Sequence, residues 1–141
     1  MNITSRDNSL LRHARAVRDG KETDSIFVEG LRLCEEAIRS NLKIEAVIYS
    51  DRIAQKDRAA QVILELDKVA SKSASVSEQL LASISYTKTP QGIILLASRP
   101  TITEEEFARR QAKTPLLVIL HHISNPVNLG VTDVEIGRAH V

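Results

Sequence analysis

The chain has 141 residues, with 19 Lys+Arg against 18 Asp+Glu and a formal net charge of +1, the composition of an ordinary globular protein. A disordered tail and a wholly basic arm are excluded. Aromatic residues are 3% of the chain (Phe27, Tyr49, Tyr86 and Phe107, with no Trp), too few for a platform of rings that reads single-stranded bases.

The length suits one domain with a substantial core and leaves room for only part of a second. Cys34 has no partner for a disulfide or a zinc framework, so a reducing compartment, most simply the cytoplasm, is expected. The N-terminus from Met1 to Asp7 lacks an apolar stretch. The apolar runs Ile93 to Ala97 and Leu116 to Leu120 are too short to span a bilayer, so neither export nor membrane insertion is expected.

Positive charge is concentrated at the start: Arg6, Arg12, Arg15, Arg18 and Lys21 face Asp7 and Asp19, a local excess of +3 within residues 1–21. Leu10, Leu11, Ala14, Val17 and Arg18 follow a helical period, with Asn8 or Ser9 as N-cap and Gly20 as the stop. The arginines of this helix fit a solvated face as well as a nucleic-acid contact. Ile26-Phe27-Val28 predicts a short buried strand, and Glu29-Gly30 a turn into a helix from Leu31 through Ile38. Ile44 to Tyr49 predicts a second strand. A helix follows over Asp57 to Val69, with Ala60, Ile63 and Leu64 on its inner face. Ala74 to Val76 predicts a weaker strand, Ser77 caps a short helix, and Ile93 to Ala97 reads as a strand buried on both faces. This alternation predicts an α/β sandwich with a largely parallel sheet.

Residues 99–113 have linker composition, with a short helix capped by Thr103. Leu116 to Leu120 then starts a new buried strand that runs into His121-His122 and Asn125-Pro126-Val127-Asn128-Leu129-Gly130. Adjacent histidines at a strand end point in opposite directions, so His121 and His122 form no chelating pair by spacing and read as loop residues. Cys34 falls on the apolar face of its helix, where a thiol acts as a small hydrophobe. Glu29-Gly30 and Thr89-Pro90-Gln91-Gly92 are accounted for as structural turns, although the Gln91 amide could also reach a ligand. Strand, loop and Asn128-Leu129-Gly130 form the strongest signal. In open α/β sheets ligands meet the carboxyl ends of strands, where Gly admits a close approach and Asn both donates and accepts.

Ser5-Arg6-Asp7-Asn8-Ser9-Leu10, Ile26 through Leu33, Thr89 through Ile93, and Leu117 through Leu120 with Asn125 through Gly130 together resemble the SpoU/TrmH-type RNA 2′-O-ribose methyltransferases of the SPOUT superfamily. The resemblance covers residues 2–130. It implies that residues 1–98 form an RNA substrate-binding domain, similar to a ribosomal-protein-like α/β/α sandwich, with 99–113 as linker. Residues 114–130 would begin a truncated SPOUT methyltransferase domain, which in the family is knotted, binds S-adenosylmethionine and dimerises. The expected RNA-contacting residues are Arg6, Asn8, Arg12, Arg15, Arg18, Glu29 and Gln91, the three helix arginines because residues 1–21 hold the clearest positive excess, with rRNA or tRNA as partner. Asn128 matches the family's motif Asn, and the position of its catalytic Arg is held here by Val134.

The pattern departs from the family after Gly130. Residues 131–141 show none of its later motifs, and Glu135 to Val141 can be encoded by GAG ATC GGA AGA GCA CAC GTC, which resembles read-through of a sequencing adapter. The resemblance therefore implies a methyltransferase fragment that retains RNA recognition. No methyl-donor site is expected in this chain, which by itself should be inactive. A free-standing RNA-binding module and a small α/β interaction domain are the competing expectations.

Overall fold

A computed structural model describes residues 1–109. Its first compact unit is Met1–Thr101. The chain runs through β1 (Asn2–Ile3), α1 (Ser9–Arg18), β2 (Ser25–Glu29), α2 (Leu31–Arg39), β3 (Ile44–Ser50), α3 (Asp51–Ala54), α4 (Asp57–Val69), β4 (Lys72–Val76), α5 (Glu78–Ile84) and β5 (Ile93–Ser98). The strands form one sheet in the order β1-β4-β3-β5-β2. β1, β4 and β3 pair in parallel, whereas β5 is antiparallel to both β3 and β2. The expectation of a largely parallel sheet is corrected accordingly. An apolar run such as Ile93 to Ala97 buries both faces in either direction, so its composition carries no orientation.

Alternation along the strands feeds two cores. Ala46, Ile48, Ala74, Val76, Ile94 and Leu96 meet Leu10, Leu11, Ala14 and Val17 of α1 and Leu81 and Ile84 of α5. On the other face Val47, Ile93, Leu95 and Ala97 pack under Cys34 and Ala37 of α2, Ile53 of α3, and α4. The result is an α/β/α sandwich. α4 turns Ala59, Val62, Ile63 and Leu66 inward while Leu64 is 61% exposed, so the inner face expected from Ala60, Ile63 and Leu64 is corrected by about one residue. The run Val62-Ile63-Leu64 is continuous, and only packing selects which of its members faces the sheet.

α1 begins and ends as its sequence dictates. The Asn8 side chain accepts the Leu10 N–H, and Gly20, at φ +70°, closes the helix by donating to the Val17 carbonyl while Lys21 donates to that of Ala16. Described by itself, α6 (Glu104–Arg109) starts with a capping box: the Thr103 hydroxyl accepts the Glu106 N–H, and the Glu106 carboxylate accepts the Thr103 N–H. The strand expected at Leu116 to Leu120, together with His121, His122, Asn128 and Val134, lies outside the described residues.

Candidate functional site

The topology gathers the sequence motifs at one end of the sheet. Ile3 pairs with Val76, Ser50 with Val76, Tyr49 with Ile93 and Glu29 with Ile94, so the carboxyl ends of β1, β2, β3 and β4 and the amino end of β5 lie side by side. Arg6, Glu29-Gly30 and Gln91-Gly92 therefore share a single rim, although they are up to 86 positions apart in sequence.

Two glycines make that convergence possible. Gly30, at φ +101°, donates its N–H to the Ile93 carbonyl, and a Cβ there would collide with the Gln91 amide oxygen. Gly92, at φ +87°, accepts the Ser50 N–H at 2.9 Å through its carbonyl, and a Cβ there would come within 2.9 Å of the Ile53 side chain. Both positions need a positive φ and open space at once. Gln91 is thereby placed: its amide lies over the turn that leads into α2.

Among the described residues the buried polar side chains are three serines, Ser25, Ser50 and Ser85, and each donates to a glutamate. Ser50 donates to Glu78 at 2.7 Å. Glu29 is the most heavily engaged: its carboxylate accepts from the hydroxyls of Ser85 and Thr87 and from the N–H groups of Tyr86 (2.8 Å) and Thr87 (3.3 Å). Pairing of this kind is what keeps a half-buried carboxylate tolerable. It also ties residues 85–87 to the end of β2. Of the residues expected to contact RNA, Glu29 thus stands as the brace of the rim loop.

The arginines divide sharply. Arg18 donates to Asp19 and to the carbonyls of Ser83 and Ser85, and Arg15 donates to the Arg6 carbonyl, with its second terminal nitrogen buried and unpartnered among the described residues. Both are committed to holding α1 against its neighbours. Arg6 and Arg12 are exposed, and no described residue accepts a hydrogen bond from either guanidinium. Asn8 serves as the cap of α1, with its carbonyl oxygen occupied.

Two clefts open on this end. One, of about 260 Å³, lies between Arg52, Lys56, Glu78 and the Pro90-Gln91-Gly92 turn. The other, of about 540 Å³, is bordered by Thr4, Arg6, Asp51, Ser77 and Gln79. The sequence reading missed Arg52 and Lys56. Their neighbours offer no catalytic pattern, and only the pairing of β3 with β5 brings them beside Gln91. Cys34 is fully buried in the α2 core, and burial, with Glu35 adding to it, pushes its thiol up to about 12, a pKa that removes it as a nucleophile. No group of His, Cys, Asp and Glu able to hold a metal occurs among the described residues, and no helix among them is long and apolar enough to cross a membrane.

Residues 10–95 match the family model of the MRM3-like substrate binding domain. The chain belongs to this family. Similar solved structures include an RNA 2′-O ribose methyltransferase, 29% identical with a TM-score of 0.64, the match covering 92% of this chain and 49% of that one. An rRNA methyltransferase from Sinorhizobium meliloti shares the fold at 23% identity and a TM-score of 0.59, over 71% of this chain and 37% of its own. The SpoU methyltransferase AviRb from Streptomyces viridochromogenes, solved with AdoMet, also shares it, at 14% identity and a TM-score of 0.52, over 70% and 38% of the two chains. The chain thus spans less than half the length of these relatives. No curated protein matches it significantly.

Proposed function

We propose that this chain is the RNA-recognition part of an S-adenosylmethionine-dependent RNA 2′-O-ribose methyltransferase acting on rRNA or tRNA, and that RNA meets the carboxyl end of the sheet. The observation that carries the reading is the family match over residues 10–95, which lies wholly within the Met1–Thr101 unit. The rim adds its chemistry. Arg6, Arg52 and Lys56 border its clefts as exposed cations without a described partner, while Glu29 and Glu78 accept hydrogen bonds from the fold. Cations left free to meet phosphate supply most nucleic-acid affinity, and side-chain amides such as Gln91 can address base edges.

S-adenosylmethionine would supply the methyl group, but the smaller cleft does not suit it, because Arg52 and Lys56 at its mouth repel a sulfonium. The donor site and Asn128 therefore belong to our reading of residues 114–130 as the start of the catalytic domain, after a linker over 99–113. Homodimerisation through that domain and a cytoplasmic location are parts of the same proposal. The 141-residue chain alone should bind the donor weakly and transfer no methyl group, because in-line placement of donor and acceptor needs a complete site. Calorimetry with S-adenosylmethionine and binding of total RNA test the division: RNA bound without donor is the expected result. Micromolar donor binding by the chain, or no RNA binding, would overturn the reading.

A further inference from the structure

Tyr86 is 77% exposed, the most open large apolar side chain among the described residues, although a tyrosine ordinarily buries much of its ring. Single exposed rings are common, and what sets this one apart is its backbone. The N–H groups of Tyr86 and Thr87 both donate to one oxygen of Glu29, while the hydroxyls of Ser85 and Thr87 donate to the other. The Thr89 carbonyl lies 3.1 Å from the same Thr87 hydroxyl, as an alternative acceptor for its one proton. A loop tip with an outward ring would normally lose binding energy to ordering, and here that ordering is built into the fold.

We propose that Tyr86 stacks on one unpaired RNA base while Arg52 and Lys56 hold an adjacent phosphate, so that the rim takes a looped or extruded nucleotide in preference to a duplex. The inference rests on the RNA reading above and deepens it. Base faces in an A-form helix are covered by their neighbours, so an exposed ring can reach only a base that is already unstacked. The same strap that fixes Tyr86 continues into Pro90 and Gln91, which line the cleft opposite Arg52 and Lys56. Lys88, also exposed, lies between the ring and that cleft along the chain. Four aromatic residues exclude a platform for several bases, but one ring suffices for one base.

The test uses the whole 141-residue chain with two labelled probes: an RNA hairpin with an unpaired loop, and a fully paired RNA duplex of equal length. Wild type should prefer the hairpin. Tyr86→Ala should weaken hairpin binding roughly 5- to 150-fold, the range of a lost stacked base, and leave duplex binding within about twofold. Tyr86→Phe, which keeps the ring, should retain hairpin binding within about twofold. Tyr86→Trp adds a spectroscopic reading in a chain without other tryptophan, because stacking should quench its emission on hairpin addition. Undiminished hairpin binding by Tyr86→Ala, or equal losses on both probes, would overturn the inference while leaving the RNA reading in place. No binding of either RNA by wild type would overturn both.

Discussion

The two ends of the sheet both satisfy their glutamates with serines and differ in what surrounds those pairs. At the amino ends of β2 and β3, Glu45 sits at a register shift in the ladder and accepts from Ser25 and Ser98, both at 2.8 Å, with His13 beside it. His13 in turn contacts Glu22, and Arg99 clamps the Thr23 carbonyl at 2.6 Å. At the carboxyl end the glutamates are likewise satisfied by serines, yet Arg6, Arg52 and Lys56, which border its clefts, meet no described acceptor. A closed end serves folding. The carboxyl end pairs Glu29 and Glu78 inward and leaves Arg6, Arg52 and Lys56 outward around clefts that also carry the exposed Asp51, an excess of cations suited to an anionic partner, and the backbone is bent there by two glycines to make room.

The largest test of that contrast is Glu29→Ala, which removes the one described acceptor of the Tyr86 N–H and the charged acceptor shared by the Ser85 and Thr87 hydroxyls and the Thr87 N–H, leaving these three with neutral partners inside the loop. It should cost about 2–4 kcal/mol in urea unfolding, in line with the loss of hydrogen bonds to a charged acceptor. Glu29→Gln keeps part of the set and should lose less. Equal stability of the alanine variant and wild type would show that the loop does not depend on this brace.

Next come Gly30→Ala and Gly92→Ala, each expected to cost about 1–3 kcal/mol, because an L residue is strained at these φ values and the new methyl meets Gln91 or Ile53. Gly20→Ala is the internal control. It shares a positive φ but has nothing within 4 Å, so only the backbone penalty of about 1 kcal/mol applies. Thermal melts that rank Gly20→Ala as the most damaging of the three would contradict the close packing of the rim.

The smallest effect is expected from pH at the closed end. Burial alone would raise the Glu45 carboxyl, but the hydrogen bonds from Ser25 and Ser98 and the His13 ring outweigh it and hold the group below the ordinary carboxylate range. A depressed folded value means that its contribution is present above the unfolded value and is lost as pH falls through the folded one. Since Glu45 is partly exposed, the loss should stay below about 1 kcal/mol. Glu45→Gln should flatten the acid limb of the stability profile slightly; an unaltered limb would remove Glu45 from the account.

Much of this was legible in the sequence, and the exceptions have physical causes. The cap at Asn8, the stop at Gly20, the Ser77 cap and the apolar stretches of β2 through β5 stand out because each is a local signal. β1 has only two residues and becomes a strand by pairing with β4, so no periodicity announces it. The brace at Glu29 joins residues 56 to 58 positions away, and a single residue near a turn does not disclose such partners. Arg15 and Arg18 show a feature of the opposite kind, charge that is visible in the sequence with partners that are not. A basic helix looks available to phosphate until its guanidinium groups are found on backbone carbonyls.

The central claim, that RNA meets the carboxyl end, is tested most directly by the salt dependence of RNA binding in two charge-matched variants. Arg52→Gln/Lys56→Gln neutralises the open end, and Lys43→Gln/Lys72→Gln neutralises two exposed cations at the amino ends of β3 and β4. The account predicts that the first pair flattens the plot of log affinity against log salt by up to about 2 units, while the second leaves the slope unchanged. A slope that falls with Lys43 and Lys72 and not with Arg52 and Lys56 would place the RNA at the wrong end of the sheet and contradict the account.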